Sequence, residues 1–243
     1  MTAPPCLKHP RAATHGGHCP ACLIEAALAS GASEPGDGSS ETDDGPPAAA
    51  RTLTICVPLG SSARASVYLV REEPTGRLLR LKIWNVPAAH GFLERFRELR
   101  IRLDPWRGQP VAVPLAASLD AAGCPAVLSE FRQGVSLVDS VRTGTVDAKQ
   151  LRAVVRSIGS AIGSAHAAGL AHGSVVAGNV LVQPTLGTLL LLDFGMTAAL
   201  NPSADCASLM RADRVGLATL TRSIRRIRAD FRTSPHPPVT SRR

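Results

Sequence analysis

The sequence predicts an α+β protein with a strand-rich first lobe and a helix-rich second lobe. Between residues 53 and 84, short apolar runs are separated by turn residues, which is typical of β-strands. From residue 146 onward, apolar residues recur every three or four positions, which is typical of amphipathic helices. Strands that come first and helices that come later favour two segregated lobes.

The first lobe is predicted to start with a meander of three strands, at residues 53–57, 66–70 and 78–84. The small-residue loop LGSSARA joins the first two strands, and the turn sequence EEPTGR joins the next two. Residues 91–103 are predicted to form a helix, because apolar residues recur there at helical spacing: Phe92, Phe96, Leu99 and Leu103. Short apolar runs follow at 111–115 and 126–131.

The second lobe is predicted to hold two long helices with two short buried strands between them, at 179–182 and 189–192. The first helix starts near Val146 and carries one apolar stripe: Leu151, Val154, Val155, Ile158 and Ile162. The final helix presents Leu217, Leu220, Ile224, Ile227 and Phe231 on one face. Its arginines lie elsewhere on the helix: Arg222, Arg225, Arg226 and Arg228.

Composition narrows the class of protein. The chain of 243 residues has room for one medium domain with small appendages, and 44% of its residues are hydrophobic. No run reaches the roughly 18 uncharged apolar residues of a membrane helix. The start, MTAPPCLKHPRA, lacks the apolar core of a signal peptide. We therefore expect a cytoplasmic, soluble protein without a transmembrane segment.

Charge divides along the chain. Residues 1–50 contain two basic and six acidic residues, a net charge of −4, and the remainder carries +12, which gives the total of +8. Such basicity can indicate nucleic acid binding, but solvated faces of the predicted helices explain most of it, so nucleic acid is not the expected partner. Residues 31–50 are mostly glycine, proline, serine and acidic residues with no periodic apolar residues, as in a disordered linker.

A small head precedes this linker. Cys6 and His9, then Cys19 and Cys22, form two pairs of ligands with two residues between the members of each pair, a set that suits tetrahedral zinc. His15 or His18 could replace His9. We predict a structural zinc ribbon, with a tail that binds no metal as the alternative. The remaining cysteines, Cys56, Cys124 and Cys206, are single and are expected to be buried free thiols.

The predicted organisation is thus a zinc-ribbon-like head at 1–30, a linker at 31–50, lobes at 51–131 and 132–232, and a disordered tail at 233–243.

The stretch HAAGLAHGSVVAGNVLV followed by LLLLDFGM carries a family resemblance. It resembles the catalytic loop and the Asp-Phe-Gly motif of bacterial serine/threonine protein kinases of the eukaryotic type. His172 and Asn179 match the loop, and Asp193 is the aspartate of the second motif. The resemblance covers about residues 53–227, and it implies a two-lobed kinase-like fold that holds ATP and Mg²⁺, with Asn179 and Asp193 as the Mg²⁺ ligands.

Further nucleotide contacts follow from the same resemblance. Lys82 ends the third strand, where kinases carry the lysine that reaches the α- and β-phosphates. Glu98 on the next helix is its expected partner, with Glu94 as the second choice. Gly60 is the one glycine left in the loop that resembles the glycine-rich loop, because Ser62 and Ala65 occupy the later glycine positions.

The catalytic loop departs from the family pattern. Ser174 stands where the family has the aspartate that accepts the substrate proton, and a serine hydroxyl is not a base at neutral pH. Val176 replaces the lysine that steadies the transferred phosphate, and Gly173 replaces the arginine that pairs with an activation-loop phosphate. Thr197, Ser203 and Ser208 are therefore poor candidates for a phosphorylation switch.

The segment after the Asp-Phe-Gly motif is short. Asp213, in ADRVGLATL, resembles the aspartate that starts the central helix of the second lobe and braces the catalytic loop. The chain stops just after this helix, so the resemblance implies a truncated second lobe. The helix arginines could be solvated or could dock an acidic partner or anionic lipid.

Three hypotheses about function remain. The first is a pseudokinase-like module that binds ATP, transfers phosphate poorly and acts through a protein partner. The second is a weakly active or atypical kinase that uses Asp193 or another acid as its base. The third is a scaffold without nucleotide, which binds partners through the zinc head and the arginine-bearing helix.

Overall fold

The computed structural model describes residues 52–107, 109–183 and 188–233, and these form two compact units. The first, the sheet unit, contains the described residues up to Pro105 together with Val113–Arg132. The second, the helical unit, contains Trp106–Ala112 and the residues from Gln133 onward. No helix in the described ranges is long and apolar enough to cross a membrane.

The sheet unit is built on five antiparallel strands in the order β1-β2-β3-β5-β4. Their bounds are β1 Thr52–Ser61, β2 Ala65–Glu73, β3 Arg77–Trp84, β4 Pro114–Leu119 and β5 Pro125–Glu130. The meander predicted from the sequence is confirmed, and residues 74–76 within EEPTGR form the β2–β3 turn. Gly76 in that turn has a φ of 69°, a conformation that glycine adopts without steric cost.

The loop between β1 and β2 is shorter than the sequence predicts. Both strands extend into the predicted loop LGSSARA, because Gly60 pairs with Val67 and Ser61 with Ser66 across the hairpin. Only residues 62–64 are left as a turn. The hydroxyl of Ser62 accepts a hydrogen bond from the Ala65 backbone N–H at 3.2 Å, which satisfies a donor that the turn would leave open.

Strand β3 has one buried apolar face and one partly exposed face of mixed character. Leu79, Leu81 and Ile83 are buried in a cluster with residues of β1, β2 and β5, as the side-chain period of two requires. Lys82 and Trp84 alternate with them and lie on the opposite face.

The first helix, α1, runs over Phe92–Leu103, as predicted. Its stripe of Phe92, Phe96, Leu99 and Leu103 is buried. Gly91 precedes it in the left-handed conformation, and Glu94 in the first turn complements the positive end of the helix dipole.

The helical unit contains a three-stranded antiparallel sheet in the order β6-β7-β8 and four helices in its described part. The strands are β6 Val135–Ser136, β7 Val180–Gln183 and β8 Thr188–Leu191, and the helices are α2 Leu137–Arg142, α3 Ala148–Ala167, α4 Met196–Leu200 and α5 Cys206–Thr233. The two predicted strands exist with their ends moved by about one residue. The short helices α2 and α4 were not predicted.

Local capping sets where the helices begin. The Asp147 carboxylate accepts hydrogen bonds from the first turn of α3, and Gln150 returns a bond to the Asp147 backbone, which forms a capping box. In α5, Asp205 accepts a bond from the Ser208 backbone N–H at 2.9 Å. The helix therefore starts at Cys206, and the prediction that Asp213 starts it is wrong: Asp213 lies two turns inside.

Helix α5 packs against α3 and approaches the loop that follows His172 very closely. The Leu217 side chain lies 3.6 Å from the place where a Cβ on Gly159 of α3 would be. A Cβ on Gly216 would lie 2.7 Å from the backbone oxygen of Val175. The absence of a side chain at Gly216 is thus what lets the helix contact this loop.

Candidate functional site

The loop that starts at His172 is fixed by the fully buried carboxylate of Asp213. One carboxylate oxygen accepts a hydrogen bond from the His172 backbone N–H at 2.8 Å, and the other accepts one from the Gly173 backbone N–H at 2.7 Å. The first oxygen also lies 3.0 Å from Nε2 of His166 in α3. The prediction that Asp213 braces this loop is confirmed. The contribution of His166 was missed, although its position in HAAGLAH was the signal.

The His172 side chain fills the interior of the loop. Its ring is fully buried and lies 5.0 Å from the ring of Phe194, which in turn stacks on Trp106 at 6.3 Å. Nδ1 accepts a hydrogen bond from the Ser174 backbone N–H at 3.2 Å. Burial lowers the pKa of His172, and the nearby carboxylates of Asp213 and Asp193 raise it less. A neutral imidazole is therefore the form that this site favours.

Ser174 and Asn179 are joined within the loop. Nδ2 of Asn179 donates to the backbone oxygen of Ser174 at 3.0 Å and lies 3.4 Å from its hydroxyl oxygen. A turn of 3-10 helix, Ala177–Asn179, bends the chain back so that this bond can form. Because Nδ2 is the group that donates here, Oδ1 of Asn179 is oriented away from this bond and has the chemistry to accept a hard cation.

The Asp193 backbone lies next to Asn179, because the Leu192 N–H donates to the Asn179 oxygen at 2.8 Å. Asp193 has a φ of 58°, which aspartate tolerates better than most residues but at some cost in energy. After it, Phe194 and Gly195 are buried, and the Gly195 N–H donates to the His172 oxygen at 3.2 Å. Asn179 and Asp193 thus lie on adjoining backbone segments that are hydrogen-bonded to each other.

Thr197 in α4 lies directly against Gly173, which has no side chain. Gly173 has a φ of 81°, and its backbone oxygen accepts a hydrogen bond from the Thr197 hydroxyl at 3.1 Å. A Cβ on Gly173 would lie 2.6 Å from Cβ of Thr197. Thr197 therefore occupies the space into which a longer side chain would project. Its hydroxyl is engaged in this bond and the residue is half-buried, and its being a poor phosphorylation switch stays a prediction.

In the sheet unit, Lys82 lies between Val67 on β2 and Val127 on β5 and is half-buried. Its Nζ lies 4.7 Å from the ring centroid of Trp84, within the range of a cation–π contact. Sequence reasoning missed Trp84, although it follows Lys82 by two residues and so shares its face of the strand.

The structure also shows where the other residues of this unit that were expected at a nucleotide site lie. Glu98 and Glu94 are exposed on α1, as expected for side chains off its apolar stripe. Gly60 lies in β1, and a Cβ there would meet no atom within 4 Å. The roles of Gly60, Lys82, Glu98, Asn179, Asp193 and Ser174 in binding or catalysis stay predictions.

The predicted zinc ligands Cys6, His9, Cys19 and Cys22, with the alternatives His15 and His18, lie outside the described residues. Within the described ranges, no group of three or more histidine, cysteine, aspartate or glutamate side chains could hold a metal ion.

The prediction for the single cysteines was partly wrong. Cys124 is buried, and burial raises the pKa of its thiol. Cys56 and Cys206 are exposed, because one lies in the outermost strand β1 and the other in the first turn of α5.

Comparison with known proteins supports the kinase-like character of the fold. No protein-family model matches the chain. The chain is 30% identical over 149 residues to "Putative cyclin-dependent kinase F-2" of Oryza sativa subsp. japonica, and the match covers 57% of this chain and 45% of that protein. The chain thus spans less than half the length of this curated relative.

A solved structure shows the same architecture. The crystal structure of residues 1–466 of Rad53 in complex with AMP-PNP matches with a TM-score of 0.55 and 22% sequence identity, over 71% of this chain and 47% of that chain. The chain has a protein kinase-like α+β fold.

Proposed function

We propose that this chain is a nucleotide-binding pseudokinase, a kinase-like module that binds Mg-ATP, transfers phosphate poorly at best and acts through contacts with a protein partner. The observation that carries the proposal is the state of the loop 172–179. The loop is braced by a buried carboxylate and internally hydrogen-bonded, yet the residue at the position of the family's catalytic aspartate is Ser174.

The residues that would hold the nucleotide fit the chemistry required. Mg²⁺ prefers oxygen ligands, and Asn179 and Asp193 offer an amide oxygen and a carboxylate on adjoining segments. A bound Mg²⁺ would neutralise phosphate charge. Lys82 would contact the phosphates, because it lies on the partly exposed face of β3, where its ammonium group is held over the Trp84 ring.

Phosphoryl transfer is expected to be impaired for two reasons. A positioned general base contributes about 10²- to 10⁴-fold, and the Ser174 hydroxyl cannot supply it. Val176 stands where the family has the lysine that steadies the transferred phosphate. It is 50% exposed and carries no charge to stabilise that phosphate. Phosphoryl transfer depends mainly on positioning and electrostatics, so the missing positive charge adds to the missing base.

The first experiment is a thermal-shift titration of the full chain with ATP, with and without Mg²⁺. Wild type should be stabilised as ATP rises, by RT ln(1 + [ATP]/Kd), and more strongly with Mg²⁺. Lys82→Ala and Asp193→Asn should reduce the shift. Lys149→Ala, at an exposed lysine of α3, is the matched control and should behave as wild type.

A transfer assay with radiolabelled ATP separates this proposal from the active-kinase alternative. A pseudokinase should bind Mg-ATP and transfer no label, whereas a weak kinase should transfer label that Asp193→Asn abolishes. A flat thermal response at millimolar ATP, in protein that unfolds cooperatively, would refute both and leave the scaffold without nucleotide.

We also propose that the chain is related to the bacterial serine/threonine kinases. We propose in addition that its head, residues 1–30, binds a structural zinc ion. Zinc content measured on the full chain, with Cys19→Ser as the comparison, tests the metal independently of nucleotide binding.

A further inference from the structure

The partly exposed face of β3 carries a second positive charge besides Lys82. Arg80, Lys82 and Trp84 alternate with the buried core residues of the strand and therefore project from the same face. Arg80 and Lys82 are both half-buried and lie two residues apart, which is about 7 Å along a strand. A ligand that contacts Lys82 on this face is therefore also within reach of the Arg80 guanidinium.

A buried hydroxyl group lies beside Arg80 on the neighbouring strand. Ser129 of β5 is the register partner of Arg80, so the two side chains project from the same face with their Cβ atoms about 5 Å apart. Ser129 is 5% exposed, and its Oγ has no hydrogen-bond partner among the described residues. Because buried hydroxyl groups normally have a partner, this one is expected where a bound ligand supplies it.

Apolar side chains surround these polar groups. Leu69 and Val67 of β2 are the register partners of Arg80 and Lys82, and both are half-buried. Val127 of β5 lies opposite Lys82 and is buried. A few polar groups on an apolar surface are typical of a site for a small organic molecule. A flat ring packs well on such a surface, whereas a second phosphate group would lose its hydration there at a cost in free energy.

Arginine discriminates between the two purine bases. Guanine presents two acceptors on one edge, O6 and N7, which a guanidinium binds with two N–H groups, whereas adenine presents an amino donor beside N7. Arg80 interacts with another group of the protein, but a guanidinium has five N–H donors and no acceptor, so donors remain for a ligand. The Ser129 hydroxyl can donate or accept, and it therefore does not choose between the bases.

We propose that Arg80 and Ser129 bind the base of the nucleotide, and that the site prefers a guanine nucleotide to an adenine nucleotide. The proposal rests on the proposed function, because it takes Lys82 as the contact to the phosphates. It uses residues of the sheet unit alone. ATP binds in the same place less tightly, because its amino group lies where Arg80 requires an acceptor.

Equilibrium dialysis of the full chain with radiolabelled Mg-GTP and Mg-ATP tests the preference. GTP should bind at least about fivefold more tightly, the lower end of the discrimination that one bidentate pair provides. ITP keeps O6 and N7 and should match GTP, whereas 7-deaza-GTP lacks N7 and should lose the preference. Equal or tighter binding of ATP would overturn this proposal and leave the proposed function intact. Binding of neither nucleotide at millimolar concentration would overturn both.

The variant R80M assigns the preference to one side chain, because it removes the guanidinium and keeps a long side chain. Its affinity for GTP relative to ATP should fall at least about fivefold. The matched control is R77M, since Arg77 lies in the same strand on the opposite face, where it pairs with Glu130 at 2.9 Å. R77M should keep the wild-type preference. A preference for GTP that persists in R80M would overturn the proposal.

Two further measurements examine the base and the hydroxyl. Inorganic tripolyphosphate has no base and should compete with GTP at least about fivefold more weakly than unlabelled GTP does. Equal competition would show that Arg80 binds phosphate, and the proposal would fail. Without nucleotide, Ser129→Ala should melt no lower than wild type, because its Oγ bonds to no described group. With nucleotide, it should weaken the binding of GTP and ATP by about two- to tenfold. Unchanged affinity for both would mean that the base binds elsewhere, which also overturns the proposal.

Discussion

Asp213 offers the sharpest test of how the fold holds the loop 172–179. The Asp213→Ala change removes a fully buried carboxylate and leaves two backbone N–H groups, those of His172 and Gly173, without an acceptor. Each unsatisfied buried donor costs about 1–3 kcal/mol. The contact with His166 at 3.0 Å is lost as well. We expect the free energy of unfolding to fall by about 3–5 kcal/mol, a large part of the roughly 5–15 kcal/mol of a typical domain.

The assay can be confined to the helical unit. Of the two tryptophans, Trp84 lies in the sheet unit and Trp106 in the helical unit, where it stacks on Phe194. In a Trp84→Phe background, the fluorescence of Trp106 therefore reports urea unfolding of the helical unit. Amide hydrogen exchange at His172 and Gly173 should accelerate in Asp213→Ala by a factor that corresponds to the lost hydrogen bonds.

Asp205→Ala is the matched control, because it makes the same change in the same helix at an exposed cap. It should cost less than Asp213→Ala, because only one solvent-exposed cap bond, from the Ser208 backbone N–H, is lost. If Asp213→Ala costs no more than Asp205→Ala, the carboxylate does not brace the loop, and the reasoning is refuted.

Two further predictions concern the same unit. Gly216→Ala should destabilise the protein by about 1–2 kcal/mol, because its Cβ would collide with a backbone oxygen at 2.7 Å, whereas Gly163→Ala on α3, with no atom within 4 Å, should stabilise it by about 1 kcal/mol. Urea unfolding of both variants measures this, and equal stabilisation would contradict the close approach. His172 has a lowered folded pKa, so its contribution to stability is fully present above its unfolded pKa of about 6.5 and is lost as the pH falls toward the folded pKa. Melting curves across this window should show a weaker acid-induced loss in His172→Gln than in wild type, and identical pH slopes would contradict the burial argument.

The sequence predicted best where local pattern and packing agree. The alternation in β3 and the stripe of α1 were read correctly, because a period of two or of 3.6 residues follows directly from which face is buried. The brace by Asp213 was also predicted, since the aspartate falls at the position that the kinase resemblance assigns to it.

The failures concern short elements and contacts between distant residues. Helix α4 is only five residues long and has no side-chain cap, so no periodic pattern marks it. The contact between Thr197 and Gly173 joins residues 24 positions apart, and only the folded chain reveals why glycine is required there. The loop between β1 and β2 was predicted to be too long, because strand pairing continues through residues of low strand propensity.

The final test asks whether the departures at Ser174 and Val176 account for the proposed loss of phosphoryl transfer. Asn179 bonds mainly to the backbone oxygen of Ser174, so Ser174→Asp should preserve this bond, and the exposure of Val176 leaves room for Val176→Lys. If the rest of the site is competent, the double variant should bind Mg-ATP as wild type does and transfer phosphate at least about 10²-fold faster to a generic peptide. Adding Lys82→Ala should abolish that gain. A double variant that binds Mg-ATP normally and transfers no more label than wild type would refute the argument that these two positions limit transfer. The deficit would then lie in another departure from the family pattern, either at Ser62 and Ala65 in the β1–β2 hairpin or in the segment between Gly195 and Asp213, where Thr197 fills the space beside Gly173.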